Sequence, residues 1–310
     1  FWIKAEHEVI FICLSENGLI SKPYYPTNAT IKYVNNQGNE IKEQKGFEIF
    51  NFDQRSPFLR RFKQLNSLRR AINKFTNQND IILATYSLIA FSVRFSKRSK
   101  NKYYYIQAYE PEYFDKSVKG LIASQLVSFT YLLNLKRIVN SPIYFNYKIL
   151  KANKCVYPGL DFNIFNSENK VYKYEFNSKP MKIGCIGRSE KSKGTKFVLE
   201  AYTSLINNDI NCQLIMAEFG NKEMLLNYND IVIIKPQNDK ELSDFYKNID
   251  VLIAPGLLQM GAVHYPVIEA MACGTSVITT GYHPANTENA WLVSTKSSLE
   301  IAEQVKNIMN

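Results

Sequence analysis

The 310-residue chain lacks paired cysteines, a long apolar run and an Asp-x-Asp motif, and each absence excludes a class of protein. Cys13, Cys155, Cys185, Cys212 and Cys273 are odd in number, and no two stand at metal-ligand or redox spacing. They read as structural thiols of a reducing cytoplasm. The longest apolar stretch, 81–93, is interrupted by Thr85, Tyr86 and Ser87 and falls short of the ~18 apolar residues a membrane span needs. It reads instead as a strand leading into a helix. Without Asp-x-Asp at a strand end, no metal or other cofactor is expected. A start methionine and a signal peptide are also absent. Residues 1–6 read as the end of a helix and 297–310 as a helix that stops abruptly. The expectation is a chain lacking its first strand and most of its first helix, and cut at its C-terminus as well.

What is present is an ordinary globular composition, 45% hydrophobic and 21% charged, in a length that suits two domains. The charge is divided unevenly. Residues 1–160 hold 24 Lys+Arg against 11 Asp+Glu, a net of +13, whereas 161–310 hold 14 against 17, a net of −3. Much of the excess falls in residues 55–74, from Arg55 to Lys74. There Phe58, Leu59, Phe62, Leu65, Leu68 and Ile72 recur at helical spacing, flanked by Arg60, Arg61, Lys63, Arg69, Arg70 and Lys74. Such a helix either lies on an anionic membrane face or packs in a core with a solvated basic side. No nucleic-acid motif accompanies the charge and the second half is acidic, so nucleic acid is not an expected partner.

Strand patterns recur at 8–14, 30–34, 81–86, 103–108, 137–140 and 154–156, with helical patterns at 55–75 and 120–133. The alternation predicts a parallel α/β sheet. A polar stretch at 157–180 lacks helical periodicity. Beyond it a second series starts with a strand at 181–186 and a helix at 195–207, then strands at 212–216, 231–234 and 251–254. The expected architecture is two Rossmann-like domains, 1–160 and 161–310, facing each other across a ligand cleft.

The segment 250–281 carries the most chemistry. It reads as a strand (251–254), a Pro/Gly loop, a helix over 266–273 and a strand over 276–280. Glu269 is the lone acid on that helix, and an unpaired buried charge costs several kcal/mol, so it is expected to face a loop or a ligand. Pro266 opens the helix, whose free N–H groups favour an anion. Upstream, Gly187 permits a turn at the end of a strand, followed by Arg188 and Lys193, two cations suited to a diphosphate leaving group. A carboxylate for hydroxyls beside an anion site suits a nucleoside diphosphate sugar. His264 precedes the helix and is placed to face phosphate or sugar. His283 reads as a loop residue, and His7 as a helix-end residue without a catalytic partner.

The runs IGRSEKSKG (186–194) and HYPVIEAMACGTSVITT (264–280) resemble the C-terminal domain of retaining GT-B glycosyltransferases of family 4. The resemblance implies that Arg188 and Lys193 bind the donor diphosphate and that Glu269 binds the nucleotide ribose. It adds Gly187, His264, Tyr265, Pro266 and Val267 to the donor site. Asn289, in a segment resembling the family's stretch near the nucleotide, joins them, with N–H groups of 289 and 290 toward the donor. The run YYYIQAYEPEYF (103–114) is similar to a branch containing rhamnosyltransferases of bacterial surface polysaccharide, including lipopolysaccharide. Gln107, Tyr109 and Glu110 follow a predicted strand at its C-terminal end and are cleft candidates. Gln107 and Tyr109 fall on the acceptor side, Tyr109 having packing as its alternative. Glu110 or Glu112 serves as the catalytic carboxylate if the branch's acid at 108 has to be replaced. Two positions depart from the pattern: Ala108 stands where the branch has an acid, and Gly261 stands where many members have a sugar-contacting acid. The implied activity is metal-independent, retaining transfer of a sugar, rhamnose or another deoxyhexose, to a glycan or lipid-linked glycan acceptor at the inner membrane face. The alternatives are a non-catalytic GT-B partner subunit and an epimerase.

Overall fold

A computed structural model describes residues 6–15, 28–41, 58–172, 179–218 and 231–309, leaving aside the side chains of 58–61 and 218. The chain divides into two compact units, Phe1–Tyr157 and Pro158–Asn310. The expected helix end at 1–5, residues 55–57, and the stretch 173–178 lie outside the described residues.

In the N-terminal unit β1 (Ile10–Leu14) and β2 (Thr30–Val34) pair in parallel as a small sheet. A separate parallel sheet runs β3 (Ile81–Ala84), β4 (Asn101–Ile106), β5 (Lys136–Val139) and β6 (Lys154–Cys155) in chain order. Helix α1 (Phe58–Phe75) precedes β3, α2 (Ile89–Arg94) links β3 to β4, and α3 (Val118–Thr130) links β4 to β5. Of the two readings of α1, the structure supports the core helix. Leu68, Ala71 and Ile72 are buried, with α1 packed on α2 and β1, while Lys63, Arg70 and Lys74 are exposed. Of its apolar stripe, Leu68 and Ile72 lie in the protein interior, Leu65 is half-buried and Phe62 is exposed.

The C-terminal unit is one six-stranded parallel sheet. Its elements are β7 (Met181–Gly187), α4 (Thr195–Asn207), β8 (Cys212–Glu218), β9 (Val232–Ile234), α5 (Asp239–Asn248), β10 (Val251–Ala254), α6 (Tyr265–Ala272), β11 (Ser276–Thr279), β12 (Trp291–Leu292) and α7 (Ser298–Met309). All four residues of β10 are buried, the pattern of a parallel strand covered on both faces. Met181, Ile183, Leu214, Val251 and Ile253 meet Val198 and Leu205 of α4 and Ile301 and Val305 of α7 in a single core. Helix α5 escapes the sequence reading, yet its start is chemically marked. Asn238 accepts from the Glu241 N–H at 2.9 Å, and the Glu241 carboxylate accepts from Gln237 N at 2.8 Å.

The strand order β12-β11-β10-β7-β8-β9 positions the site. The chain winds outward from β7 to β9, then returns to the other side of β7 with β10. The loops after β7 and β10 therefore leave adjacent strands at the winding reversal, where doubly wound sheets bind ligands. The loops touch: Leu257 N donates to Ser192 O at 2.8 Å, and Gly194 packs against Pro255. Gly194 has φ +75°, and a β-carbon there would stand 2.1 Å from the Pro255 carbonyl oxygen. Gly194→Ala is therefore expected to cost about 1–3 kcal/mol. Calorimetry should show a Tm at least about 3 °C lower, and an unchanged Tm would contradict this packing.

Candidate functional site

The loop after β7 presents its cations from defined positions. Gly187 is buried at the strand end, and the exposed Arg188 follows. The Arg188 N–H donates to Thr195 Oγ1 at 3.1 Å, tying the loop's start to the first residue of α4. Lys193 closes a 3-10 turn, its N–H donating to Glu190 O at 2.9 Å. Burial, then the charge of Arg188, holds the Lys193 ammonium below its usual range, with Glu190 opposing in part. Two cations whose mutual repulsion is already felt favour an anion between them.

The loop after β10 adds His264 at the N-cap of α6. Its ring stacks on Tyr282 with centroids 4.6 Å apart, and its Nδ1 is buried without a hydrogen-bond partner. Burial, followed by the charges of Lys193 and Arg188, depresses the imidazole to about 3, so it is neutral at physiological pH. The structure thus brings Arg188, Lys193 and His264 within electrostatic reach of one another. Tyr282, which sequence reasoning missed, also holds the loop by donating to Leu258 O at 2.7 Å.

The start of α6 offers fewer donors than its sequence suggests. Pro266 has no N–H, and the N–H of the buried Val267 bonds back to His264 O at 3.0 Å. In the first turn that leaves Tyr265 as the position whose N–H is not drawn into these bonds. The anion is left chiefly to the side chains of Arg188 and Lys193.

Glu269, expected to face a loop or a ligand, is 9% exposed and has a partner within the protein. The Tyr246 hydroxyl, on α5, donates to its Oε2 at 2.8 Å. Burial pushes the carboxyl up to about 7; the Tyr246 bond lowers it and Asp239 raises it slightly. A hydroxyl can sit in the interior where a second charge would be costly, so Tyr246 positions the carboxyl without neutralising it. Sequence reasoning missed Tyr246 because it missed α5; the Asn238/Glu241 capping box was the signal that reveals it.

Other expected residues are committed elsewhere. Asn289 is exposed and closes its own loop, accepting from Asn286 N at 2.8 Å and donating to Pro284 O at 3.2 Å. The N–H groups of Asn289 and Ala290 both bond to Asn286 O. Gly261 has φ +85° and donates to Gly281 O at 2.8 Å, so this loop has a left-handed residue where an acid was a departure point. In the N-terminal unit, Gln107, Tyr109 and Glu110 follow β4 as expected. The Gln107 amide donates to Thr85 O at 3.3 Å. The Tyr109 ring lies against Tyr131 and Tyr147, at 5.8 and 4.6 Å. Both Glu110 oxygens accept from Ser87, one from its N–H at 3.0 Å and one from its hydroxyl at 2.5 Å. Burial raises the Glu110 carboxyl, while those two bonds lower it. The residue has a structural task, bridging the loops after β3 and β4. Among the described residues no group of three or more His, Cys, Asp or Glu could hold a metal ion.

The Glu269 environment sets a pH dependence. Its folded value, about 7, lies above the ordinary 4.5, so the folded chain binds the extra proton between those limits. The stability this group contributes is present at low pH and is lost as pH rises toward 7 and beyond, by about 3 kcal/mol at roughly 1.4 kcal/mol per pH unit. From about pH 5 to about pH 8, the wild-type Tm should fall relative to that of Glu269→Gln. Parallel Tm curves would contradict the burial of an ionisable, uncompensated carboxyl.

Comparison with known proteins bears on the fold and on the family of the C-terminal unit. Residues 180–310 match the family described as Glycosyl transferases group 1. No curated protein matches the chain. Among solved structures, the sucrose-phosphate synthase of Thermosynechococcus elongatus superposes with a TM-score of 0.69 at 14% identity, over 97% of this chain and 90% of that one. A glycosyltransferase from Rickettsia africae gives 0.56 at 15% identity, over 97% and 88%. TarM gives 0.62 at 14%, over 79% and 51%. The chain has an α/β GT-B fold, and residues 180–310 are similar to the group 1 glycosyl transferases.

Proposed function

We propose that the chain transfers a sugar from a nucleoside diphosphate sugar to a glycan or lipid-linked glycan acceptor, without a metal and with retention of configuration. The observation that carries this reading is the convergence of Arg188, Lys193 and His264 at the winding reversal of the C-terminal sheet. Arg188 and Lys193 take the diphosphate. They stabilise the charge that develops as the glycosidic bond lengthens, the work a divalent ion does in other transferases. His264, neutral beside the two cations, adds a polar group rather than a third charge. Glu269, held by Tyr246, accepts from the ribose hydroxyls, and those bonds favour its ionised form. A deoxyhexose donor such as rhamnose, a role in surface polysaccharide such as lipopolysaccharide, and a cytoplasmic site at the inner membrane face rest on the motif resemblance at 103–114 and 264–280.

The non-catalytic GT-B partner is a second reading, and one observation favours it. Ala108 offers no acid, and the Glu110 carboxylate expected to serve instead is engaged by Ser87 through both oxygens.

The two readings separate in one experiment on the full chain. A panel of nucleoside diphosphate sugars is first screened for thermal stabilisation, which a ligand bound to the folded state produces by mass action. The stabilising donor is then assayed for transfer and for donor hydrolysis. The transferase reading predicts turnover that falls by roughly 10²–10³-fold in Arg188→Ala and in Lys193→Ala. Turnover unchanged in both variants would overturn it, and donor binding with no turnover would establish the non-catalytic partner.

A further inference from the structure

The polar stretch without helical periodicity opens the C-terminal unit, and its residues 164–172 are committed to the two elements that form the Tyr246–Glu269 pair. On the side of α5, Ile164 O accepts from the buried Ser243 hydroxyl at 2.7 Å, and Asn166 Oδ1 accepts from the Lys247 ammonium at 3.0 Å. The buried Phe165 ring lies 6.4 Å from the Tyr246 ring. On the side of α6, the turn that follows the helix holds Gly274 at φ +72°. A β-carbon there would stand 2.4 Å from the Tyr172 hydroxyl oxygen.

Lys170 joins the two sides. Its half-buried ammonium donates to Tyr246 O at 3.3 Å, to Ile249 O, and to Thr275 Oγ1 at 3.0 Å. The Thr275 hydroxyl donates in turn to Tyr246 O. Tyr246 lies in the last turn of α5 and Ile249 is its C-cap, where carbonyls lack partners within the helix and a cation is favoured. Thr275 stands between α6 and β11. One lysine therefore ties the end of α5, which supplies the Tyr246 hydroxyl, to the turn that ends α6, which supplies Glu269.

We propose that Lys170 is a positioning residue for Glu269: by fastening the end of α5 to the turn after α6, it sets the reach of the Tyr246 hydroxyl to the Glu269 carboxyl. The lysine acts through Tyr246, whose hydroxyl is 2.8 Å from Oε2. That this carboxyl serves a nucleotide rests on the proposed function, whereas the linkage from Lys170 to Glu269 does not. The titratable groups that interact with Glu269 are Tyr246 and Asp239 on α5, Tyr265 at the start of α6 and Cys273 at its end. None of them is altered by a substitution at 170, so a change in the titration of Glu269 reports a change in how Tyr246 is held.

The test is carboxyl-carbon NMR titration of the ligand-free full chain, with the Glu269 signal assigned by its loss in Glu269→Gln. Tyr246→Phe removes a bond that lowers the carboxyl, so its titration midpoint should rise by about half a pH unit or more. Lys170→Met should raise the midpoint in the same direction, and in the Tyr246→Phe background it should add nothing. Should Lys170→Met not fold, Thr275→Val removes the other donor to the Tyr246 carbonyl and carries the same expectations. A variant whose Tm falls while the midpoint stays put would make the contact a helix cap alone and overturn the proposal, as would shifts that add in the double variant. Calorimetry with UDP, GDP and dTDP supplies a separate arm, in which the nucleotide that binds should lose about tenfold in affinity in Lys170→Met. Should none bind the wild type, the nucleotide reading fails, and the midpoints still decide the role of Lys170.

Discussion

The site depends on the reversal of winding between β7 and β10. Two loops leave neighbouring parallel strands there, and since each turns away to its own side, neither covers the other. What remains is a place where backbone from both approaches closely. Gly194 against Pro255 and the Leu257–Ser192 bond fix that approach. Replacing the glycine's hydrogen by a methyl group would drive the loops apart, and with them Lys193 from His264.

The electrostatics of the crevice follow from that closeness. Lys193 is held below its usual range by burial and by Arg188, and the same two cations help to keep His264 neutral. Glu269, one turn into α6, is buried against a hydroxyl instead of a cation, which is why its carboxyl titrates near neutrality. Each group is displaced from its ordinary behaviour in the direction that a diphosphate with ribose hydroxyls would reverse. An anion beside Lys193 opposes the lowering of its ammonium, and hydroxyl donors at Glu269 favour its ionised form.

The sequence made the local part of this legible. A glycine, an arginine and a lysine at a strand end, and Pro266 opening a short apolar helix, depend only on near neighbours, and they fall where the pattern places them. Three features were not legible because their cause lies far along the chain. Tyr246 reaches Glu269 from a separate helix, and recognising it required seeing the capping box at Asn238 and Glu241 first. Glu110 looked available because Ser87, 23 residues earlier, is brought to it only by the pairing of β3 with β4. The basic amphipathic pattern of α1 could not say which surface its apolar side would meet, and the fold takes Leu68 and Ile72 of that side into the core. In α3 the periodicity identified the helix but not its inward face, since apolar residues lie on both sides and the buried side is set by Gly120 and Thr130.

The central claim is that Glu269 is a buried carboxyl pushed up to about 7, and the proposed reading has it accept from the hydroxyls of a nucleotide. Calorimetric titration of the stabilising nucleoside diphosphate sugar, in two buffers of different ionisation heat, measures it directly. Near about pH 6.5 the account predicts release of a substantial fraction of a proton on binding, because ribose hydroxyls shift Glu269 to its ionised form. That release should vanish in Glu269→Gln while binding persists. No proton release by the wild type, or the same release by the glutamine variant, would contradict the account.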